Sequence, residues 1–181
     1  MNQTLVGEIV FSILGYQPLE INKMTYGEMN TVYEVRMPDK KVIFRANELK
    51  QPLEGTKDNI EILSQLGIPV PAVIYADVTK EKYPFAFILL DKILGRDLRF
   101  VLSVMSVEQI SELARNIVSI QKRVSTLPSG EGYGFAPINK KANSQTWSEY
   151  IEWDIQCGLP EIKDVVGENG IKAIKKQTEI L

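Results

Sequence analysis

The stretch MTYGEMNTVYEVRMPDKKVIFRAN, residues 24–47, decides the fold. Residues 31–37 (TVYEVRM) alternate apolar and polar side chains, the two-residue period of a half-buried strand. Pro38-Asp39 then makes a turn, and 41–45 (KVIFR) is another short strand. Upstream, residues 18–24 are extended in pattern and TYGE supplies a turn signal. Three strands in succession joined by tight turns predict an antiparallel meander.

Working outward, residues 4–15 read as a helix. Thr4 is placed to cap it, Leu5, Ile9 and Ile13 share a face, and Gly15 stops it. Residues 53–66 return to helical spacing through Leu53, Ile60, Leu63 and Leu66, closed by Gly67. The prolines of IPVPAVIYAD (68–77) exclude helix there, and a short apolar strand follows. FAFILLD (85–91) has the continuous apolar character of a buried strand. The N-terminal half is therefore about five strands with one helix inserted after the third. Beyond Gly95 the pattern becomes helical. Ser106 and Gln109 form a capping-box signature ahead of a stripe of Ile110, Leu113, Ile117 and Ile120. Residues 127–137 are rich in Gly and Pro and read as loop. GEGYG (130–134) follows a helix rather than a strand, the wrong context for a phosphate loop. Residues 146–155 predict another helix with Trp147, Tyr150 and Trp153 on one flank, read as packing residues, and 168–181 a charged terminal one. A lobe boundary near Gly95 divides the chain into 1–94 and 95–181.

Composition excludes several classes. With 21 basic and 23 acidic side chains in 181 residues, no basic stripe points to nucleic acid. The longest apolar run, 85–90, is far short of the ~20 residues a membrane helix needs. No basic segment precedes the apolar residues of the N-terminus, so no signal peptide is expected. The single Cys157 excludes an internal disulfide and fits a reducing, cytoplasmic compartment. It has no acid or His pattern around it, so catalytic use is not expected.

Four segments, MTYGEMNTVYEV (24–35), KVIFRAN (41–47), LSQLGIPVPAVIYAD (63–77) and PFAFILLDKILGRDL (84–98), carry a resemblance. A fifth, ELARNIVSIQKRV (112–124), extends it. Together they resemble the aminoglycoside phosphotransferase family, small-molecule kinases with the protein-kinase fold. The resemblance implies an α+β chain: a protein-kinase-like N-lobe with a five-stranded antiparallel sheet and inserted helix, then the first helices of an incomplete C-lobe. It implies an ATP-dependent phosphotransferase moving a phosphoryl group to a hydroxyl of an aminoglycoside-like, sugar or amino-alcohol substrate, with Mg²⁺ in the intact enzyme.

The same resemblance places candidate site residues. Gly27 and Asn30 sit on the turn that would cover phosphates, Gly27 for tight geometry and Asn30 as an amide donor. A plain hairpin turn is the other reading. Arg45, near the end of the third strand, would hold the α and β phosphates through its fork. Its acidic partner would come from the inserted helix. The expected position falls near Thr56, which cannot ionise, so Asp58 or Glu54 is the candidate; a solvated acidic face explains both equally. Adenine would lie against Leu90, with the Asp91 carbonyl and Ile93 N–H reading its edge, and Val42, Ile43 and Leu89 completing an apolar slot. No catalytic or metal-binding residue is assigned. The chain contains no His, so the family's His-Gly-Asp loop is absent, as is a matching later Asp. A truncated kinase portion and a non-catalytic nucleotide-binding or structural module both remain open.

Overall fold

A computed structural model of the chain describes residues 1–25, 29–138 and 140–178. They form two compact units, 1–127 and 128–181. Unit one opens with α1 (Gln3–Leu14), followed by β1 (Glu20–Lys23), β2 (Thr31–Arg36), β3 (Lys41–Asn47), α2 (Thr56–Gln65), β4 (Val73–Asp77) and β5 (Ala86–Asp91). Two single-turn 3₁₀ helices lead to α3 (Val107–Val124). The sheet order is β1-β2-β3-β5-β4, and every neighbouring pair is antiparallel. This is an α+β architecture with one helix inserted between the third and fourth strands.

The cap of helix α1 lies two residues earlier than its sequence suggested. Asn2, not Thr4, is the cap: its side chain accepts from the Leu5 N–H at 2.9 Å. Gly15 ends the helix at φ 77°, where a side chain would be strained, and its N–H donates to the Phe11 carbonyl at 2.8 Å. The buried face of α1 (Val6, Ile9, Val10) packs on one side of the sheet.

The two-residue period of β3 sorts its side chains between two cores. Val42, Phe44 and Ala46 join α1, Tyr33, Val35, Phe85, Phe87 and Leu89 in the larger one. Ile43 faces the opposite side, with Leu53, Ile60, Ala86, Ile88, Leu90 and Val73. Phe44 stacks on Phe87 with ring centroids 5.1 Å apart, joining β3 to β5 across the sheet centre. Strand β5 is buried on both faces, which is why its sequence is apolar without alternation. Leu53 is almost wholly buried, but it lies in the turn before α2 rather than in the helix.

The predicted capping box on α3 forms: the Gln109 N–H donates to Ser106 Oγ at 3.3 Å and the Ser106 N–H to Gln109 Oε1 at 2.9 Å. Arg123 of α3 donates through Nη1 to the Gly67 carbonyl at 2.6 Å, capping the C-terminal end of α2 with a cation.

In unit two, the helical run α4 (Trp147–Thr178) is two helices meeting at Gly167, whose φ of 64° breaks the regular geometry. Tyr150 meets Phe135 edge-on, Trp147 at a tilt and Trp153 stacked. Trp147 and Trp153 remain 56% and 55% exposed, so this flank is not the packed core that the sequence suggested. Among the described residues of this unit, Ala142 and Leu159 are the buried apolar ones, too few to shield large rings. Among the described residues no helix is long and apolar enough to cross a membrane.

Candidate nucleotide site

Arg45 and Leu90, two of the candidate residues, lie on the sheet face opposite α1. Strand register puts Arg45 between Val32 of β2 and Ile88 of β5, and Ile43 between Glu34 and Leu90. Because strand side chains alternate, Val32, Glu34, Ile43, Arg45 and Asn47 share this face. Val42 and Leu89 do not. Both are fully buried against the α1 side, so they cannot line a slot beneath Ile43 and Leu90. Val32, absent from the sequence reading, takes a place there instead.

Arg45 is half-buried. Burial lowers the pKa of its guanidinium, yet the group stays protonated at any pH the protein meets. Among the described residues no carboxylate pairs with it. Its partner is the Asn30 carboxamide, which accepts from Nη2 at 2.8 Å and from Nε at 3.2 Å. In the reverse orientation the Asn30 oxygen would accept one bond, from Asn47 Nδ2 at 3.2 Å. Two charge-assisted bonds outweigh that neutral bond and the 3.2 Å approach of the Asn30 amide nitrogen to Asn47 Nδ2, and set the amide. Asn47 Nδ2 donates to the Met29 carbonyl, and its Oδ1 accepts from the Leu49 N–H at 2.8 Å. The end of β3 is thereby tied to the residues entering β2. Gly27 lies outside the described residues.

Asp58 and Glu54 are not brought to Arg45. The half-buried positions of α2 are Thr56, Asn59, Ile60, Ile62 and Leu63, one broad helical face. Asp58 falls on the other face and is exposed, and Glu54 lies before the helix, bound to Lys50 at 3.4 Å. Helical phase, which acidic spacing alone does not fix, decides this.

Leu90 is buried in the smaller core. The Asp91 N–H donates to the Ala72 carbonyl at 2.9 Å and its carboxylate pairs with Lys40 at 2.9 Å. Ile93 is 58% exposed in the extended segment after β5, and its N–H has no backbone partner among the described residues.

One ionic cluster escaped the sequence reading. Glu34, with a side chain only 14% exposed, accepts from Lys41 Nζ at 2.7 Å and from Lys92 Nζ. Lys92 comes from the segment after β5, so this pair spans β3 and joins β2 to the chain leaving the sheet. The lysines hold the Glu34 carboxyl below its ordinary value of 4.5, Lys41 contributing most and burial opposing. A lowered folded pKa means that protonation works against the fold. The stabilisation is complete above 4.5 and is lost as pH falls through the lowered value. Glu34→Gln is expected to cost roughly 1–2 kcal/mol near pH 7 and progressively less in acid. Urea unfolding at neutral pH and at successively lower pH checks this; a difference that does not shrink as the pH falls would show the loss to be packing rather than charge.

The five-strand antiparallel sheet, its inserted helix and the helices that follow define a protein-kinase-like fold. Solved structures make the same point. A thermostable mutant of aminoglycoside phosphotransferase APH(4)-Ia superposes with a TM-score of 0.68 at 10% identity, covering 96% of this chain and 57% of that one. A variant of that enzyme in ternary complex with ADP and hygromycin B gives 0.61 at 14% identity, covering 95% and 56%. A Haemophilus somnus 129PT protein described as a fructosamine-3-kinase gives 0.55 at 17% identity, covering 86% and 54%. The chain thus has the fold of aminoglycoside phosphotransferases and related kinases and spans little over half their length. No family model matches the sequence, and no curated protein matches it.

Proposed function

We propose that this chain is the nucleotide-binding portion of an ATP-dependent small-molecule phosphotransferase. Residues 1–94 serve as the nucleotide lobe with its hinge and 95–181 as a partial helical lobe, in a soluble cytoplasmic protein. The observation that carries the reading is Arg45: a half-buried cation between Val32 and Ile88, with no carboxylate paired to it among the described residues. A guanidinium in that setting is poised for phosphate oxygens. Ile43, Val32 and Leu90 offer an apolar surface for a purine, and Ile93 offers an N–H at its edge. One solved structure of this fold contains ADP and hygromycin B, and another AMP-PNP and hygromycin B, which supports nucleotide binding by a protein of this fold. The complete enzyme would transfer the γ-phosphoryl group to a hydroxyl of an aminoglycoside-like, sugar or amino-alcohol substrate.

Mg²⁺ does not fit the residues described. No three metal-ligating side chains come together among them, and the sequence has no His-Gly-Asp. That observation favours a second reading, a non-catalytic nucleotide-binding or structural module. The pure chain is expected to bind ATP and to show no phosphotransfer. Ten-fold saturation by ATP stabilises by about 1.4 kcal/mol, a rise of roughly 3–6 °C in melting temperature. Thermal melts with ATP, ADP and adenosine test this: no shift at millimolar ATP would leave only a structural role, and turnover would contradict the assignment of catalysis to other residues.

A further inference from the structure

We infer that Asn30 is the positioning residue for Arg45, orienting the guanidinium from the turn entering β2 without neutralising it. This deepens the nucleotide-binding reading and rests on it. The Asn30 oxygen takes two N–H groups of Arg45, from Nε and Nη2. A guanidinium has five, so three remain to point at an anion. A carboxylate at that position would accept the same two bonds. It would also cancel the charge and repel a phosphate. The amide supplies the geometry of an ion pair and leaves the electrostatics open.

The anchor is itself held. Asn47, two residues beyond Arg45 on the same face, donates to the Met29 carbonyl, so it fixes the backbone immediately before Asn30. Its own oxygen is occupied by the Leu49 N–H at 2.8 Å, which sets the direction of its amide. Arg45 and Asn47 therefore grip successive residues of the chain entering β2. The cation is held from the sheet and its adjoining turn, with α2 contributing no acid to it among the described residues. A shift of α2 then leaves Arg45 in place, so anion binding here does not depend on how that helix sits.

Asn30→Asp and Asn30→Ala separate geometry from charge. Each is compared with the unaltered chain by calorimetry with ATP, pyrophosphate and adenosine, by thermal melting without ligand, and by hydrogen exchange at Arg45 Nε–H in ¹⁵N NMR spectra. Asn30→Asp is expected to keep the Nε–H protected, to melt no lower than the parent, and to bind ATP and pyrophosphate about tenfold more weakly. Asn30→Ala is expected to lose the Nε–H protection and to weaken both anions. Adenosine affinity should stay unchanged in both. Undiminished ATP binding by Asn30→Asp would overturn the role of the neutral partner. Equal Nε–H exchange in Asn30→Ala and parent would overturn the contact. If the parent protects Nε–H but binds neither ATP nor pyrophosphate, the nucleotide reading itself is wrong and the anion role falls with it.

Discussion

Arg45→Ala is expected to abolish stabilisation by ATP while leaving the unliganded chain about as stable as before. Two opposing effects produce this result. Toward a triphosphate, the guanidinium supplies charge-assisted bonds from a half-dry site; losing them weakens binding roughly 10–100-fold. Within the folded chain, the same group sits half-buried between Ile88 and Val32, and burial works against its charged form. Its compensation is a neutral amide, not a counter-ion. Removing the side chain removes that cost as well as the contact. Arg45→Met, which keeps the length and discards the charge, should melt slightly higher than the parent and respond to ATP not at all. Arg45→Lys should fall between, because an ammonium keeps the charge but cannot present two parallel N–H groups to Asn30. Melting curves with and without millimolar ATP decide the matter. An Arg45→Ala chain that gains as many degrees from ATP as the parent would remove this residue from the site.

The sheet was legible in the sequence because the signals there are local. Alternation over 31–37 and 41–45, the turn at Pro38-Asp39 and the apolar run 85–91 each depend on neighbours a few residues apart. The strands that form match them. The capping box at Ser106 and Gln109 was legible for the same reason. Strand order was not, because β5 enters between β3 and β4 through pairings 39 to 49 residues apart. Side assignment failed where parity was ignored: Val42 and Ile43, or Leu89 and Leu90, point to opposite faces and cannot both line one slot. Asp58 was a candidate by spacing among acids, yet the phase of α2 is set by Ile60 against the smaller core, which turns Asp58 outward. Asn47 and the Glu34–Lys92 pair carried no signal, since their partners are distant in sequence and meet only when the sheet forms. Arg45 was found because its strand was found, and its face follows from the register.

Phe87→Ala is expected to be among the most damaging single changes to the fold, and to do its damage without touching the site. Phe87 is 1% exposed on β5. It stacks on Phe44 at 5.1 Å and on Tyr75 at 5.8 Å, and meets Tyr83 and Phe85 edge-on at 5.9 and 6.3 Å. Removing this ring opens a cavity between rigid strands that cannot collapse around it. Such truncations cost about 3–5 kcal/mol, against a total stability of roughly 5–15 kcal/mol. The melting temperature should fall by roughly 6–20 °C. Phe87→Leu refills most of the volume and should lose much less. The cross-strand partner of Phe87 is Ala46, so its side chain points toward α1, whereas Ile88 pairs with Arg45 and points toward the site. Phe87→Ala should therefore lower the urea midpoint while the folded fraction binds ATP with unchanged affinity at low temperature. Ile88→Ala should lower both, because it loosens the surface on which Arg45 rests. If Phe87→Ala lost ATP affinity as severely as Ile88→Ala, the two faces of the sheet would not be the separate scaffold and site that their register makes them.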